Sequence, residues 1–161
     1  MEINVFIEIP KGSRNKYEQD EKTGAVVLDR VLHGPEVFPF DYGSIEGTLG
    51  EDGDPLDVVV LVTNPTFPGC RAKAKVIGYL EMEDESGIDN KVLAVFPKKV
   101  DPRWAHVQDI KDLAEEQKKE IREFFENYKK LEPGKWVKLR DFKPREEAEK
   151  IVEEARARHA K

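Results

Sequence analysis

The residues best suited to chemistry are three carboxylates within six consecutive positions, Asp52, Asp54 and Asp57. In an extended chain, side chains two residues apart point the same way, so Asp52 and Asp54 are expected to face one point. Pro55 holds Asp54 out of helical geometry and leads into the apolar run Val58–Val62. Because clustered carboxylates repel one another, they converge only around a compensating positive charge. A hard divalent cation such as Mg²⁺ takes oxygen ligands, and the segment therefore predicts a metal site.

The same six residues also have a plainer interpretation. Gly, Asp and Pro are common turn residues, and an acidic turn ahead of a strand is usually a solvated loop. A calcium-binding EF-hand loop is excluded, because Leu56 stands where that loop needs an oxygen ligand and Asp57 stands where it needs glycine. On this segment alone, the turn and the metal site both stay open.

A second acidic group, Asp84, Glu85 and Asp89, precedes a predicted strand. By itself this group is typical of a solvated hairpin tip. Isolated basic residues are scattered along the chain at Lys16, Arg30, Lys91 and Lys129. Two acidic clusters with isolated bases are what a metal-dependent phosphate-transfer site requires, because cations bridge carboxylates to an anion that carboxylates alone would repel.

Length and composition narrow the class of protein. The chain has 161 residues, of which 39% are hydrophobic and 37% charged, as is typical of one globular domain spanning residues 1–161. A formal charge of −6 argues against binding nucleic acid by neutralising phosphates. The first ten residues do not resemble a signal peptide, and no apolar run is long enough to span a membrane. Cys70 is the only cysteine, so the cytoplasm, a reducing compartment, is the expected location.

Short apolar runs separated by turn residues predict a mainly β protein. The expected strands are 3–9, 25–31, 58–63, 72–82, 91–95 and 135–139. A first helix is expected after a capping box of Asp112 and Glu115, with an apolar stripe that ends at Leu131. A second helix is expected to begin near Pro144. Many short strands separated by turn residues favour a small barrel.

Taken together, these residues resemble the soluble family I inorganic pyrophosphatases. The segment from Asp52 to Val58 matches the diagnostic acidic motif of that family. Further matches recur in the family's order and spacing: Glu8-Ile9-Pro10, Asn15-Lys16-Tyr17-Glu18, Leu28-Asp29-Arg30, Phe38-Pro39, Asp41-Tyr42-Gly43, Asp84-Glu85, Asp89 with Lys91, and Tyr128-Lys129 with Leu131-Glu132. The resemblance runs from about Glu8 to Val137, nearly the whole chain.

The resemblance implies an α+β, mainly β fold, a small OB-like five-stranded closed barrel with two flanking helices. It also implies that Asp52, Asp57 and Asp89 are ligands of the first and tightest metal, with Asp57 bridging to a second. Asp84 and Glu18 are implied as ligands of further metals that arrive with the substrate.

The remaining roles follow from the same resemblance. Asp54 is implied to accept a proton from the attacking water, or to orient it. Phosphate oxygens would be held by six side chains: Lys16, Arg30, Tyr42, Lys91, Tyr128 and Lys129. Glu8 and Glu85 would support the acidic cavity. Phe38 stands where family members often have tyrosine, so one peripheral contact is expected to be missing.

The implied reaction is Mg²⁺-dependent hydrolysis of pyrophosphate to two orthophosphates by direct attack of water. Several Mg²⁺ ions per active site are implied, with Mn²⁺ or Zn²⁺ as substitutes. The resemblance to prokaryotic members implies a homohexamer with contacts in residues 104–110 and 113–125, and neither nucleic acid nor membrane is an expected partner. The rival hypothesis is a non-catalytic barrel that binds nucleotides or oligonucleotides, which would need exposed aromatic residues interleaved with basic ones.

Overall fold

Nine strands and two α-helices follow one another along residues 1–161, all of which the computed structural model describes. The strands are β1 (Glu2–Ile9), β2 (Asn15–Gln19), β3 (Val26–Val31), β4 (Asp41–Ile45), β5 (Asp57–Leu61), β6 (Arg71–Asp84), β7 (Gly87–Ile88), β8 (Lys91–Val95) and β9 (Val137–Pro144). The helices are α1 (Glu115–Asn127) and α2 (Arg145–His159), and neither is long and apolar enough to cross a membrane.

Five strands close into a barrel in the order β1–β4–β5–β8–β6, and β6 returns to pair with β1. Neighbours in the barrel are antiparallel except β5 and β8, which run parallel. The long strand β6 pairs with two further strands: its first part pairs with β1 and its second part pairs with β9. The hairpin of β2 and β3 forms a separate two-stranded sheet. The expected mainly β fold with a five-stranded barrel and two helices is confirmed.

The parallel strands β5 and β8 are buried on both faces, which explains their apolar runs Val58–Leu61 and Val92–Val95. Along β5, Val58 and Val60 belong to one apolar cluster, while Val59 and Leu61 belong to the other. Residues of α1 belong to the cluster that contains Val59 and Leu61. Residues of α2 belong to the cluster that contains Val58 and Val60. Each helix therefore covers a different apolar surface of the same barrel.

Gly43 marks the closest approach of β1 and β4. A Cβ atom at this position would lie 1.9 Å from the carbonyl oxygen of Phe6. Any side chain would therefore push β4 away from β1. Because Tyr42 is the preceding residue on β4, the glycine also helps to fix the position of that side chain.

The strands β2 and β4 were not among those expected from the sequence. Neither Asn15–Gln19 nor Asp41–Ile45 has the apolar alternation that signals a strand, and β4 contains Gly43. The last expected strand begins two residues later than predicted and continues to Pro144. Polar strands that are held by neighbouring strands leave little periodic signal in a sequence.

The expected start of α1 was also wrong. Asp112 forms a capping box with Asp109 around the short 3₁₀ turn Ile110–Asp112, and does not cap α1. At the true start of α1, the Gln117 side chain accepts a hydrogen bond from the Ala114 N–H at 3.3 Å. Leu131 lies beyond the helix and is 63% exposed, so it does not extend the apolar stripe.

Candidate active site

A cavity of about 460 Å³ gathers the charged residues of the barrel, the β2–β3 hairpin and the segment after α1. Its lining contains every predicted site residue except one: Glu8, Lys16, Glu18, Arg30, Tyr42, Asp52, Asp54, Asp57, Asp84, Asp89, Lys91, Tyr128 and Lys129. The exception, Glu85, lies beside the cavity in contact with Lys129. Residues from all parts of the chain up to Lys129 therefore meet in one place.

Two parallel strands build the buried part of this cavity. The strands β5 and β8 begin at Asp57 and Lys91, and the pairing of Val58 with Val92 places these first residues side by side. Tyr42 on β4 pairs with the residue two positions beyond Asp57, so it shares the same face of the sheet. The topology of the barrel thus brings an acid, a base and a phenol together.

Lys91 is the centre of this buried group. Its ammonium donates hydrogen bonds to Asp57 Oδ2 at 2.7 Å, Asp89 Oδ2 at 2.9 Å and the Tyr42 hydroxyl at 2.8 Å. An ammonium has three donors, and all three are satisfied here. This explains how a side chain that is only 3% exposed retains its charge.

The protonation of the group reflects a balance between burial and neighbouring charge. Burial opposes the charge on Asp57, but the Lys91 ammonium holds the pKa of that carboxyl below its usual value. Burial raises the pKa of Asp89 to about 6, and the Asp57 charge adds to that effect against the attraction of Lys91. Burial and the Asp57 charge also raise the pKa of Tyr42 well above its usual value. One ammonium does not compensate both carboxylates.

Glu8 shows the same shortage of positive charge at the end of β1. Burial raises its pKa to about 7, although its carboxylate accepts a hydrogen bond from the Gln19 N–H at 2.8 Å. A proton, or a metal cation in its place, is therefore needed to balance the carboxylates on this side of the cavity.

Asp52 and Asp54 lie in a tight turn and not in the extended chain that the sequence suggested. Gly53 has a φ of +92°, a conformation that favours glycine, and the Asp54 N–H donates to Asp52 Oδ1 at 3.0 Å. The turn interpretation is therefore correct for the local backbone, yet both carboxylates line the cavity. Partial burial and the charge of Asp52 raise the pKa of Asp54.

The β2–β3 hairpin supplies a basic wall. Lys16 and Arg30 are cross-strand partners on it, and Lys16 Nζ donates to Glu18 Oε1 at 2.6 Å. Asp29 pairs with Lys16 at 3.6 Å and also with Arg30. Glu132, buried at 7% exposure, lies 3.0 Å from the Arg30 Nε atom. No role for Asp29 or Glu132 was predicted from the sequence; Asp29 is the neighbour of Arg30 on β3, whereas only the fold brings Glu132 against the basic wall.

The segment after α1 supplies a third group. Lys129 donates to Asp84 Oδ2 at 3.0 Å and to Glu85 Oε1 at 3.3 Å. Burial opposes the charge on Glu85, but hydrogen bonds, including those from the Trp136 N–H and Lys135, hold its pKa at about 2. Glu85 is thus a permanently charged partner that fixes Lys129 from outside the cavity.

Phe38 packs inside the apolar cluster next to the cavity. Its ring centroid lies 4.6 Å from that of Phe124 and 5.7 Å from that of Tyr42. Phe38 is 1% exposed and is not part of the cavity lining. The expected loss of a tyrosine hydroxyl therefore concerns the surroundings of Tyr42 and leaves the carboxylates untouched.

The donor set fits hard divalent cations. Carboxylate oxygens dominate the acidic side of the cavity, and oxygen ligands are those that Mg²⁺ and Ca²⁺ prefer. No three of these side chains converge closely enough to hold one ion as they stand. Lys91 instead occupies the space between Asp57 and Asp89. The carboxylates are gathered around one cavity, and the raised pKa values of Glu8, Asp54 and Asp89 indicate that more positive charge would be accommodated there.

Fold and cavity together define a barrel protein whose site is suited to metal-dependent chemistry on phosphate groups. The sequence model of the inorganic pyrophosphatase family matches residues 5–160. An inorganic pyrophosphatase of Leifsonia xyli is 56% identical over 93% of this chain and 91% of its own length, and one of Nanoarchaeum equitans is 50% identical over 100% and 99%.

A solved structure gives the same assignment. The crystal structure of inorganic pyrophosphatase from Thermus thermophilus has a TM-score of 0.96 and 48% identity, covering 99% of this chain and 92% of that one. The chain belongs to the inorganic pyrophosphatase family, whose members are metal-dependent hydrolases.

Proposed function

We propose that the cavity hydrolyses inorganic pyrophosphate to two orthophosphates by direct attack of water, with Mg²⁺ as the cofactor. The observation that carries the proposal is the composition of one cavity, which is lined by many carboxylates together with basic and phenolic groups. Carboxylates alone would repel a pyrophosphate anion, so they act together with the substrate only through bound cations.

Asp52, Asp57 and Asp89 would hold the first cation, and Asp57 would also serve the second. Asp84 and Glu18 would hold further cations that enter with the substrate. Bound cations supply positive charge to the phosphates and lower the pKa of the attacking water from about 15.7 towards neutrality. Mn²⁺ and Zn²⁺ are expected to substitute, because both accept carboxylate oxygens.

Asp54 accepts a proton from the attacking water, or orients that water for attack. Its raised pKa makes it a stronger proton acceptor than an ordinary aspartate, and the turn beside Asp52 holds it at the cavity. A water oxygen forms a bond to one phosphorus atom while the bond from that phosphorus to the bridging oxygen breaks. The leaving phosphate carries away the electron pair, and both products are orthophosphate.

The basic and phenolic side chains hold the phosphate oxygens. They are Lys16, Arg30, Tyr42, Lys91, Tyr128 and Lys129. Catalysis of phosphoryl transfer depends mainly on positioning and on stabilising charge. Carboxylates that already hold these bases, such as Asp29 on Arg30 and Glu85 on Lys129, reduce the cost of ordering them when substrate binds.

The rival function, binding of oligonucleotides by the barrel, lacks support in the cavity. Such modules stack bases on exposed aromatic rings. The two aromatic residues predicted to contact substrate, Tyr42 and Tyr128, are 9% and 8% exposed, and both rings pack against Phe125. Acidic side chains outnumber aromatic ones around the cavity.

Assembly, domain and location complete the proposal. We expect one catalytic domain over residues 1–161 and a closed homohexamer, because symmetric closure is usual for soluble homo-oligomers. Contacts are expected in residues 104–110 and 113–125; in the second segment Phe124 and Phe125 are buried within the protein itself, so only its exposed residues are free to make such contacts. Light scattering at micromolar concentration should give several times the 18.5 kDa chain mass, and the mass of one chain would reject the hexamer.

The expected location is the cytoplasm, because a chain with a single cysteine suits a reducing compartment.

A phosphate-release assay tests the proposed reaction. Purified protein with pyrophosphate and Mg²⁺ should release two orthophosphates per substrate, and a chelator should abolish release until Mg²⁺ is restored. Release that is equally fast in the chelator would reject the metal requirement. No release with any of Mg²⁺, Mn²⁺ or Zn²⁺ would reject the function.

A further inference from the structure

The loop that carries Asp52 and Asp54 is closed at its neck by one buried hydroxyl group. Thr48, which is 2% exposed, donates from Oγ1 to the carbonyl of Ile45 at 2.6 Å and accepts from the Leu56 N–H at 3.1 Å. The Ile45 N–H also donates to the Leu56 carbonyl at 2.9 Å. A single side chain therefore ties the start of the loop to the residue directly before Asp57.

Hydrogen bonds to α2 hold this loop from behind. Its far side borders a cleft of about 170 Å³, lined by residues that include Leu56 on the loop and Ile151 and Arg158 on α2. The helix reaches the loop through hydrogen bonds at Leu49, whose N–H donates to the Ala155 carbonyl at 3.0 Å and whose carbonyl accepts from Arg158 Nε at 2.8 Å. Leu56 also packs partly against the apolar cluster that includes residues of α2.

We propose that Thr48 is a positioning residue for the metal site, with Arg158 as a second anchor. The inference rests on the proposed function, because it assumes that Asp52 and Asp57 share a cation. Asp57 is held independently by Lys91, whereas Asp52 is held only through the loop. Loss of the Thr48 hydroxyl leaves the Leu56 N–H without its partner and lets the loop shift relative to Asp57.

The experiment measures Mg²⁺ binding to the metal-free protein by calorimetry, without substrate. Thr48→Val keeps the shape of the side chain and removes both hydrogen bonds. Residues that orient metal ligands typically contribute about 10- to 100-fold in metal affinity, so Thr48→Val should raise the Kd for Mg²⁺ by about tenfold. Thr48→Ser keeps the hydroxyl and should restore the affinity of the unchanged protein.

A matched control separates positioning from general stability. Thr63 also uses its hydroxyl twice, donating to Asp101 Oδ2 and accepting from Trp104 Nε1 at 3.1 Å, but it lies outside the catalytic cavity. Thr63→Val should lower Tm and leave the Kd for Mg²⁺ unchanged. An equal loss of Mg²⁺ affinity in Thr63→Val and Thr48→Val would overturn the inference.

Asp57→Asn serves as the reference for the metal site itself. If Asp57→Asn weakens Mg²⁺ binding and Thr48→Val does not, the positioning role is rejected while the proposed function stands. If neither variant weakens binding, the metal site is rejected as well. Should Thr48→Val fail to fold, Arg158→Gln, at a partly buried side chain of α2, provides the second test, and unchanged Mg²⁺ affinity in that variant rejects the inference.

Discussion

Two parts of the cavity present their carboxylates in opposite ways. Asp57 and Asp89 lie at the barrel, where Lys91 contacts both at 2.7 and 2.9 Å. Asp52 and Asp54 lie in an exposed turn, and their nearest ordering contact is the hydrogen bond within the turn itself. In the first pair, Asp57 is fixed at the start of β5 and Asp89 by its contact with Lys91, whereas the second pair depends on a loop.

This difference assigns different tasks to the two regions. A side chain at the start of a strand is held precisely, so Asp57 suits a permanent cation site. An exposed turn is close to solvent, so Asp54 suits contact with the attacking water, while Asp52 reaches the first cation site from the loop. The comparison predicts that changes at the barrel disturb metal binding and stability, while a change at Asp54 disturbs mainly the rate.

Asp57→Asn should produce the largest effect. A carboxylate that bridges two cations cannot become a neutral amide without losing charge at both, so Mg²⁺ affinity and turnover should fall together, each by more than about 100-fold. Calorimetry and phosphate release measure the two losses. Asp41→Asn is the matched control, because Asp41 is a fully buried carboxylate outside the cavity. Unchanged Mg²⁺ affinity in Asp57→Asn would contradict the bridging role.

Lys91→Met should lower the free energy of unfolding, in addition to removing a contact to the phosphate. Removing one partner of a buried ion pair typically costs about 3–5 kcal/mol, because it leaves uncompensated charge. Urea unfolding in a chelator should show a loss of this size, and Mg²⁺ should recover part of it by replacing the missing positive charge. Lys16→Met, at a side chain that is 17% exposed, should cost less than about 1 kcal/mol. Equal losses in the two variants would remove the distinction between the buried and exposed regions.

Phe38→Tyr should have the smallest effect. The new hydroxyl would enter a packed aromatic cluster outside the cavity lining, so stability should fall by about 1 kcal/mol. Turnover should stay within about threefold, equivalent to less than 1 kcal/mol of activation free energy. A gain in turnover beyond this range, measured by phosphate release, would show that the missing tyrosine hydroxyl limits this enzyme.

The sequence predicted the barrel better than it predicted the polar strands. Alternating residues in β1 and the apolar run of β5 carried a clear signal, and both strands are present. The strands β2 and β4 were missed because their side chains serve the site and the turn geometry as much as the core. Functional residues displaced the pattern that would have marked these strands.

For the site, the family resemblance supplied residue identities, and the structure supplied their partners. The contact of Lys91 with Asp57 depends on the parallel pairing of β5 and β8, which no local pattern encodes. Glu132 reaches Arg30 from a distant part of the chain in the same way. Thr48 stood in no motif, although its hydroxyl closes the loop that bears the diagnostic acids.

The most direct test of the division between barrel and loop is a paired measurement on Asp54→Asn. Mg²⁺ affinity is measured by calorimetry and turnover by phosphate release at saturating Mg²⁺ and pyrophosphate. Because loss of a positioned general base typically costs about 10²- to 10⁴-fold in rate, turnover should fall at least about 100-fold while Mg²⁺ affinity stays nearly normal. Turnover close to that of the unchanged protein would contradict the account and leave activation of water to the metals alone.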